Sequence, residues 1–179
     1  MYFYRDGEAL SSTGGSPSWH LGHVEPILYS MKTLFDGRLL YVVMEKGESV
    51  AKDMRSLVAM PSMTRTGTII TALGLLKNLD IGFGSYREMM VSYDRETLPG
   101  PLELLALSGF VMKSEAQPFH FHASFGDRRK KVLGGHLFDA EVVTFIEMGI
   151  LLSDAPVRRI LKDGLPEMDF SEAFVPGND

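Results

Sequence analysis

Three of the chain's five histidines fall in one stretch, HFHASFGDRRKKVLGGH, residues 120–136. On a strand, His120 and His122 are one pleat repeat apart, so both imidazoles point to the same face and can share a cation. Phe119, Phe121, Ala123 and Phe125 then point to the other face, which reads as the core side. Gly126-Asp127 and the charged run Arg128–Lys131 make a turn, and a strand returning through Val132 sets His136 beside the pair. Gly134 and Gly135 carry no side chain to block a metal, a ligand or another backbone. Three neutral imidazoles with an open position suit catalytic zinc, with Zn–N near ~2.0–2.1 Å. Imidazole also serves iron, nickel and copper. The alternative is a set of hydrogen-bonded polar residues lining a cavity or a symmetry axis. A lone His-x-His would favour that alternative; the third histidine across the hairpin favours a divalent metal on His120, His122 and His136, with zinc first.

The same hairpin raises a nucleic-acid reading. Arg128, Arg129, Lys130 and Lys131 could contact phosphates, but charged hairpin tips are more often solvated turns, and that reading is preferred. Other patterns carry less. His20 and His23 are three apart in a Gly-flanked region and receive no role. Ser49-Val50-Ala51-Lys52 matches the Ser-x-x-Lys of acyl-enzymes without its partner motifs and reads as a helix start. Gly82-Phe83-Gly84 lacks the third glycine and the strand-to-helix context of a dinucleotide fingerprint. Glu103 and Glu147 lie in apolar strands, where a charge needs a partner, and are the candidates for a proton-moving carboxylate at the metal. The competing reading pairs them with Arg158 or Arg159.

The whole chain constrains these possibilities. Its 179 residues are 45% hydrophobic and 23% charged, a globular profile long enough to bury a core without a metal or disulfide. With no cysteine, thiolate ligands, disulfides and cysteine nucleophiles are excluded. A net charge of −5 opposes strongly electrostatic nucleic-acid binding. The polar start Met1–Leu10 and the lack of a long apolar run lead to the expectation of a cytoplasmic protein with no membrane partner.

The elements that would position the histidines follow from periodicity. Residues 1–36, with the turn-forming SSTGGSPS at 11–18, read as an extension packed on the main body. RLLYVVMEKGE is a strand ending at Gly47, and a helix capped by Ser49 repeats Val50, Met54, Leu57 and Val58 before Pro61 stops it. GTIITALGLLKNLDIGFGSY reads as strand, turn and strand, reversing near Asn78-Leu79-Asp80. GPLELLALSGFVMK, QPFHFHASFGD and KVLGGHLFDAEVVTFIEMGILL supply further strands. One early helix followed by a run of strands gives α+β, a largely antiparallel sheet packed with a helix.

From about Gly37 to Glu172 the chain resembles the plant and prokaryote conserved (PPC) domain. The likeness runs in order through YVVMEKGESV, GTIITALGLLKNLDIGF, GPLELLALSGFV, PFHFHASFGD, GGHLFDAEVVTFIEMGI and RRILKDGLPEMDF, with His-x-His…Gly-Gly-His the most specific part. It implies a domain over 37–173 with a tail at 174–179, assembled as a homotrimer. It further implies a divalent metal, usually zinc, on His120, His122 and His136, and a DNA-binding or regulatory role. It also implies kinship of fold with acetolactate decarboxylase and a zinc ester hydrolase. The AT-hook of the plant proteins is absent, and Pro101 stands where they have Arg, so the DNA-reading element is missing. Two function classes follow: a metal-binding trimeric PPC protein with a DNA-binding or regulatory role, which is preferred, or a zinc-dependent lyase or hydrolase acting on a small carbonyl or ester.

Overall fold

A computed structural model describes residues 31–87, 90–114 and 117–171. Residues 1–30 of the proposed extension over 1–36, with His20 and His23, and the tail at 174–179 lie outside the described residues. The chain order is β1 (Lys32–Asp36), β2 (Leu39–Glu45), α1 (Val50–Ala59), β3 (Thr66–Arg87), β4 (Met90–Leu98), β5 (Leu102–Val111), β6 (Phe119–Gly126), β7 (Val132–Ser153), β8 (Arg158–Lys162) and β9 (Leu165–Asp169). The first seven strands form one sheet in the order β1-β2-β7-β6-β5-β3-β4, with β7 also pairing β3, while β8 and β9 form a separate hairpin. Every strand pairing is antiparallel. The architecture is therefore a mostly antiparallel β-sheet with one short helix. No helix among the described residues is long and apolar enough to cross a membrane.

Because β7 pairs β6, β6 pairs β5, β5 pairs β3 and β3 pairs β7, the ladder closes on itself. Strand alternation feeds one core: Val42 and Met44 of β2, Leu76 of β3, Phe121 and Phe125 of β6, and Val142 and Ile146 of β7 are all buried. Met54 and Leu57 of α1 join the same cluster. Burying each such side chain contributes about 2–3 kcal/mol. The helix begins at Ser49, whose Oγ accepts from Lys52 N and donates to Asp139 on β7. Ala51 N also donates to Asp139. This single carboxylate ties the helix start to the strand that carries His136.

The reading of residues 67–86 as strand, turn and strand is corrected: β3 runs without reversal from Thr66 to Arg87. Asn78 does adopt a left-handed conformation, with φ of 50°, but it makes a bulge. The ladder to β7 shifts register between Lys77 and Asp80 and then resumes, with Asn78 Nδ2 donating to Glu141 on β7. Asn tolerates this conformation at a single residue, so the strand bends without turning back. Ahead of Gly37, β1 enters the main sheet through five paired residues, Lys32↔Val43 to Asp36↔Leu39.

Candidate metal centre

The opening hairpin forms as its alternation suggests. In β6, Phe121 and Phe125 are fully buried, with Phe119 and Ala123 nearly so, while His120, His122 and Ser124 keep some exposure. Asp127 builds the turn: its Oδ1 accepts from Arg129 N and Lys131 N, and Lys130 takes a φ of 64°. The returning β7 places His136 directly opposite His122. The glycines admit backbone rather than metal. A Cβ on Gly134 would stand 2.5 Å from the Ala123 carbonyl oxygen, and one on Gly135 would stand 2.7 Å from that of Gly82. The two glycines let β7 lie this close to both neighbours.

The three imidazoles converge. His120 Nε2 and His122 Nε2 are 3.2 Å apart, and ligand-capable nitrogens of all three residues lie within 4.8 Å of one another. Two nitrogens on a tetrahedral zinc lie about 3.3 Å apart, given Zn–N near 2.0–2.1 Å. The donor set fits such an ion, and burial favours the neutral form of His120 and His136. His136 is 6% exposed, and its pKa is pushed down to about 4 by burial first, then by His120, His122 and Arg95. That of His120 is lowered by burial, then by Arg159 and His122. Neutral imidazole is the form that binds metal. His136 Nδ1 is buried with no hydrogen-bond partner among the described residues, so the protein's own hydrogen bonds leave one ring nitrogen of the cluster unused.

An aromatic and cationic frame holds His136. Its ring lies 4.2 Å from Phe138 and 5.0 Å from Tyr93 on β4. Arg95, also on β4, stacks 3.9 Å over Phe138 and offers Nε and Nη2 to the two oxygens of Asp80. Beside the cluster opens a cavity of about 630 Å³, with His120, His136, Tyr93, Arg95, Arg55 and Gln117 on its walls. Sequence reading missed Tyr93 and Arg95. No motif surrounds them, and only the pairing of β4 along the far half of β3 brings them to His136.

The other candidates lie apart from this centre. Glu103 is exposed on β5 opposite Gly126, about 16 Å along the strand from Ser108, the residue facing His122. Glu147 is exposed on β7, eleven residues beyond His136. Neither lines the cavity, and both are exposed, so the fold does not bring either carboxylate to the three histidines within this chain. Of the arginines proposed to pair with them, Arg158 donates to Asp169 and Arg159 to the Pro166 carbonyl oxygen. Arg128–Lys131 form an exposed tip, where Arg128 and Lys130 share a surface hollow with Glu103. Ser49 caps the helix and Lys52 is exposed, which settles Ser-x-x-Lys as a helix start.

The fold and site together define a class: an antiparallel β protein with three imidazoles gathered at the edge of a cavity. The sequence pattern of the Plants and Prokaryotes Conserved (PCC) domain matches residues 31–153, and the chain belongs to that family. It is similar to the plant- and prokaryote-conserved (PPC) protein of Pyrococcus horikoshii, at 25% identity and TM-score 0.62, over 80% of this chain and 97% of that one. A protein of Bacteroides thetaiotaomicron, provisionally designated DNA-binding, is similar at 19% identity and TM-score 0.68, over 79% and 98% of the two chains. A protein of Archaeoglobus fulgidus described as metal-containing is similar at 23% identity and TM-score 0.61, over 78% and 94%. No curated protein sequence matches the chain.

Proposed function

We propose that this chain is a metal-binding PCC-family protein that works as a homotrimer, with one divalent ion, first zinc, on His120, His122 and His136. The observation that carries this reading is the 3.2 Å approach of two imidazole nitrogens beside a third, buried imidazole. At that distance one ring nitrogen can donate to the other's lone pair; an ion would satisfy both lone pairs. The trimer rests on family membership and on an outer face rich in apolar side chains, with Glu147 among them. Leu34, Tyr41, Leu73, Phe145 and Leu151 are each about half exposed, on paired positions of β1, β2, β7 and β3. Such a face suits association of like chains. A DNA-binding or regulatory role is the companion reading, with the exposed Arg128–Lys131 tip as its phosphate-contacting surface.

The cavity beside His120 and His136 supports a second reading, a zinc-dependent lyase or hydrolase for a small carbonyl or ester substrate. When bound, the ion would polarise a carbonyl or lower the pKa of a water. His120, His122 and His136 would hold it, and Tyr93 and Phe138 would fix the plane of His136.

Elemental analysis of purified protein tests the metal reading. Wild type should carry close to one divalent ion per chain. His122→Ala should carry less than about a tenth of that, since two imidazoles hold an ion far less tightly than three. His122 is exposed and outside the core, so the variant should remain folded. Equal metal content in the two proteins would refute the site.

A further inference from the structure

Arg55, on α1, is exposed and lines the cavity that His120 and His136 also line. Its guanidinium carbon lies 5.4 Å from the centre of the Phe119 ring, which forms part of the same wall. Such stacking uses the face of the guanidinium. The N–H donors lie in the plane of the group and point outward from its edges. Among the described residues, no hydrogen bond or ion pair occupies them.

The other charged groups on the wall are engaged with the protein itself. Arg95 gives Nε and Nη2 to the two oxygens of Asp80, so each balances the other. Asp139 accepts from Ser49 Oγ and from the backbone N–H groups of Ala51 and Ala140. Among the described residues, Arg55 is therefore the charge on this wall left for a ligand. Much of the remaining lining is apolar or aromatic: Val91, Tyr93, Phe119, Leu137, Phe138 and Leu165. A cavity of this kind holds a ligand by burying its apolar body, and the placed charge fixes which end goes where.

We propose that the cavity binds an organic carboxylate with an aromatic or apolar body, and that Arg55 recognises its carboxylate. One edge of a guanidinium offers two parallel N–H groups, which match the two oxygens of a carboxylate. Arg95 makes this pairing with Asp80 in the same protein. Phosphate is better matched by several converging amides or cations. The proposal deepens the reading of the cavity as a substrate site and rests on it for the place of the ligand, though not on the ion.

Calorimetric titration of metal-free and zinc-loaded full-length protein with 2-naphthoate tests this. Naphthoate should bind at one per chain. 2-Naphthylmethanol has the body without the charge and acetate the charge without the body, and each should bind roughly tenfold more weakly or worse. Arg55→Gln should weaken naphthoate by roughly tenfold or more, as expected for loss of a charge-assisted pair of hydrogen bonds. It should leave naphthylmethanol unchanged, whereas damage to the fold would weaken both. Arg55 is exposed, so the variant should fold. Lys52→Gln removes an exposed charge from the same helix, away from the cavity lining, and should leave naphthoate unchanged. No naphthoate binding by wild type, full binding by Arg55→Gln, equal loss of both ligands, or the same loss in Lys52→Gln would each overturn the assignment. So would 2-naphthyl phosphate binding more tightly than naphthoate. Zinc titration of the same samples keeps the two readings apart. If zinc does not bind while naphthoate depends on Arg55, the metal reading falls and the carboxylate site stands. If zinc binds and naphthoate is indifferent to Arg55→Gln, the carboxylate site falls alone.

Discussion

Acid should destabilise the metal-free protein through His136, in a window that the structure defines. The folded-state pKa of this imidazole is about 4, against 6.5 for the free group. Between those values the unfolded chain binds a proton that the folded chain refuses, so the contribution is complete above the unfolded value and is lost as pH falls toward the folded one. Worked from these two values, going from pH 7 to pH 5 removes about 2 kcal/mol of unfolding free energy. Wild type alone will not show this cleanly, because Asp53 works in the opposite direction. It is 3% exposed, and burial first, then the neighbouring Glu48, raises its pKa from 3.8 to about 7. A raised carboxyl gives stability that is full at low pH and lost as pH rises through the folded value, so the same descent in pH returns about 2 kcal/mol. The two contributions nearly cancel. The comparison must therefore be wild type against His136→Asn, a neutral side chain that does not titrate and leaves Asp53 in place. Urea unfolding of EDTA-treated proteins at several pH values gives the difference in free energy. That difference should fall by about 2 kcal/mol from pH 7 to pH 5, whatever its starting value. A difference flat to within about 0.5 kcal/mol would show that His136 titrates normally and that its packing does not exclude the proton.

Three further outcomes are expected. Gly109 has a φ of 146°, and a Cβ there would stand 1.9 Å from the His120 carbonyl oxygen, so Gly109→Ala should cost about 3 kcal/mol in urea unfolding and weaken metal binding by displacing His120. Sedimentation at micromolar concentration should give three times the chain mass, and Tyr41→Glu, which sets a charge in the apolar outer face, should shift the mass toward the monomer; a wild-type monomer would end the trimer reading. Binding to DNA should be weak and salt-dependent, and neutralising Arg128, Arg129, Lys130 and Lys131 together should abolish it in a filter or fluorescence assay. Tight binding that survives the change would place the DNA surface elsewhere.

Local pattern determined much of this protein. Alternation in residues 119–125 was enough to separate the Phe face from the His face, because on a strand successive side chains must point oppositely. Ser49 announced the helix, and Asp127 with its charged neighbours announced the turn, since each forms its hydrogen bonds within a few residues. His120, His122 and His136 could be grouped from sequence because one hairpin joins them. Readings failed where the deciding contact was distant. Asn78 carried a turn signal, but the ladder from Leu76↔Val142 to Ile81↔Leu137 carried β3 onward through it and reduced the turn to a bulge. Glu103 and Glu147 looked costly inside apolar strands, yet the closed sheet turned both outward to solvent. Tyr93 and Arg95 carry no local signal at all. They reach the surroundings of His136 only because β4 runs along the far half of β3. Short-range hydrogen bonds and strand alternation are encoded residue by residue. Which charged side chain faces which cavity is decided by the register of strands far apart in the chain, and only the tertiary structure sets that.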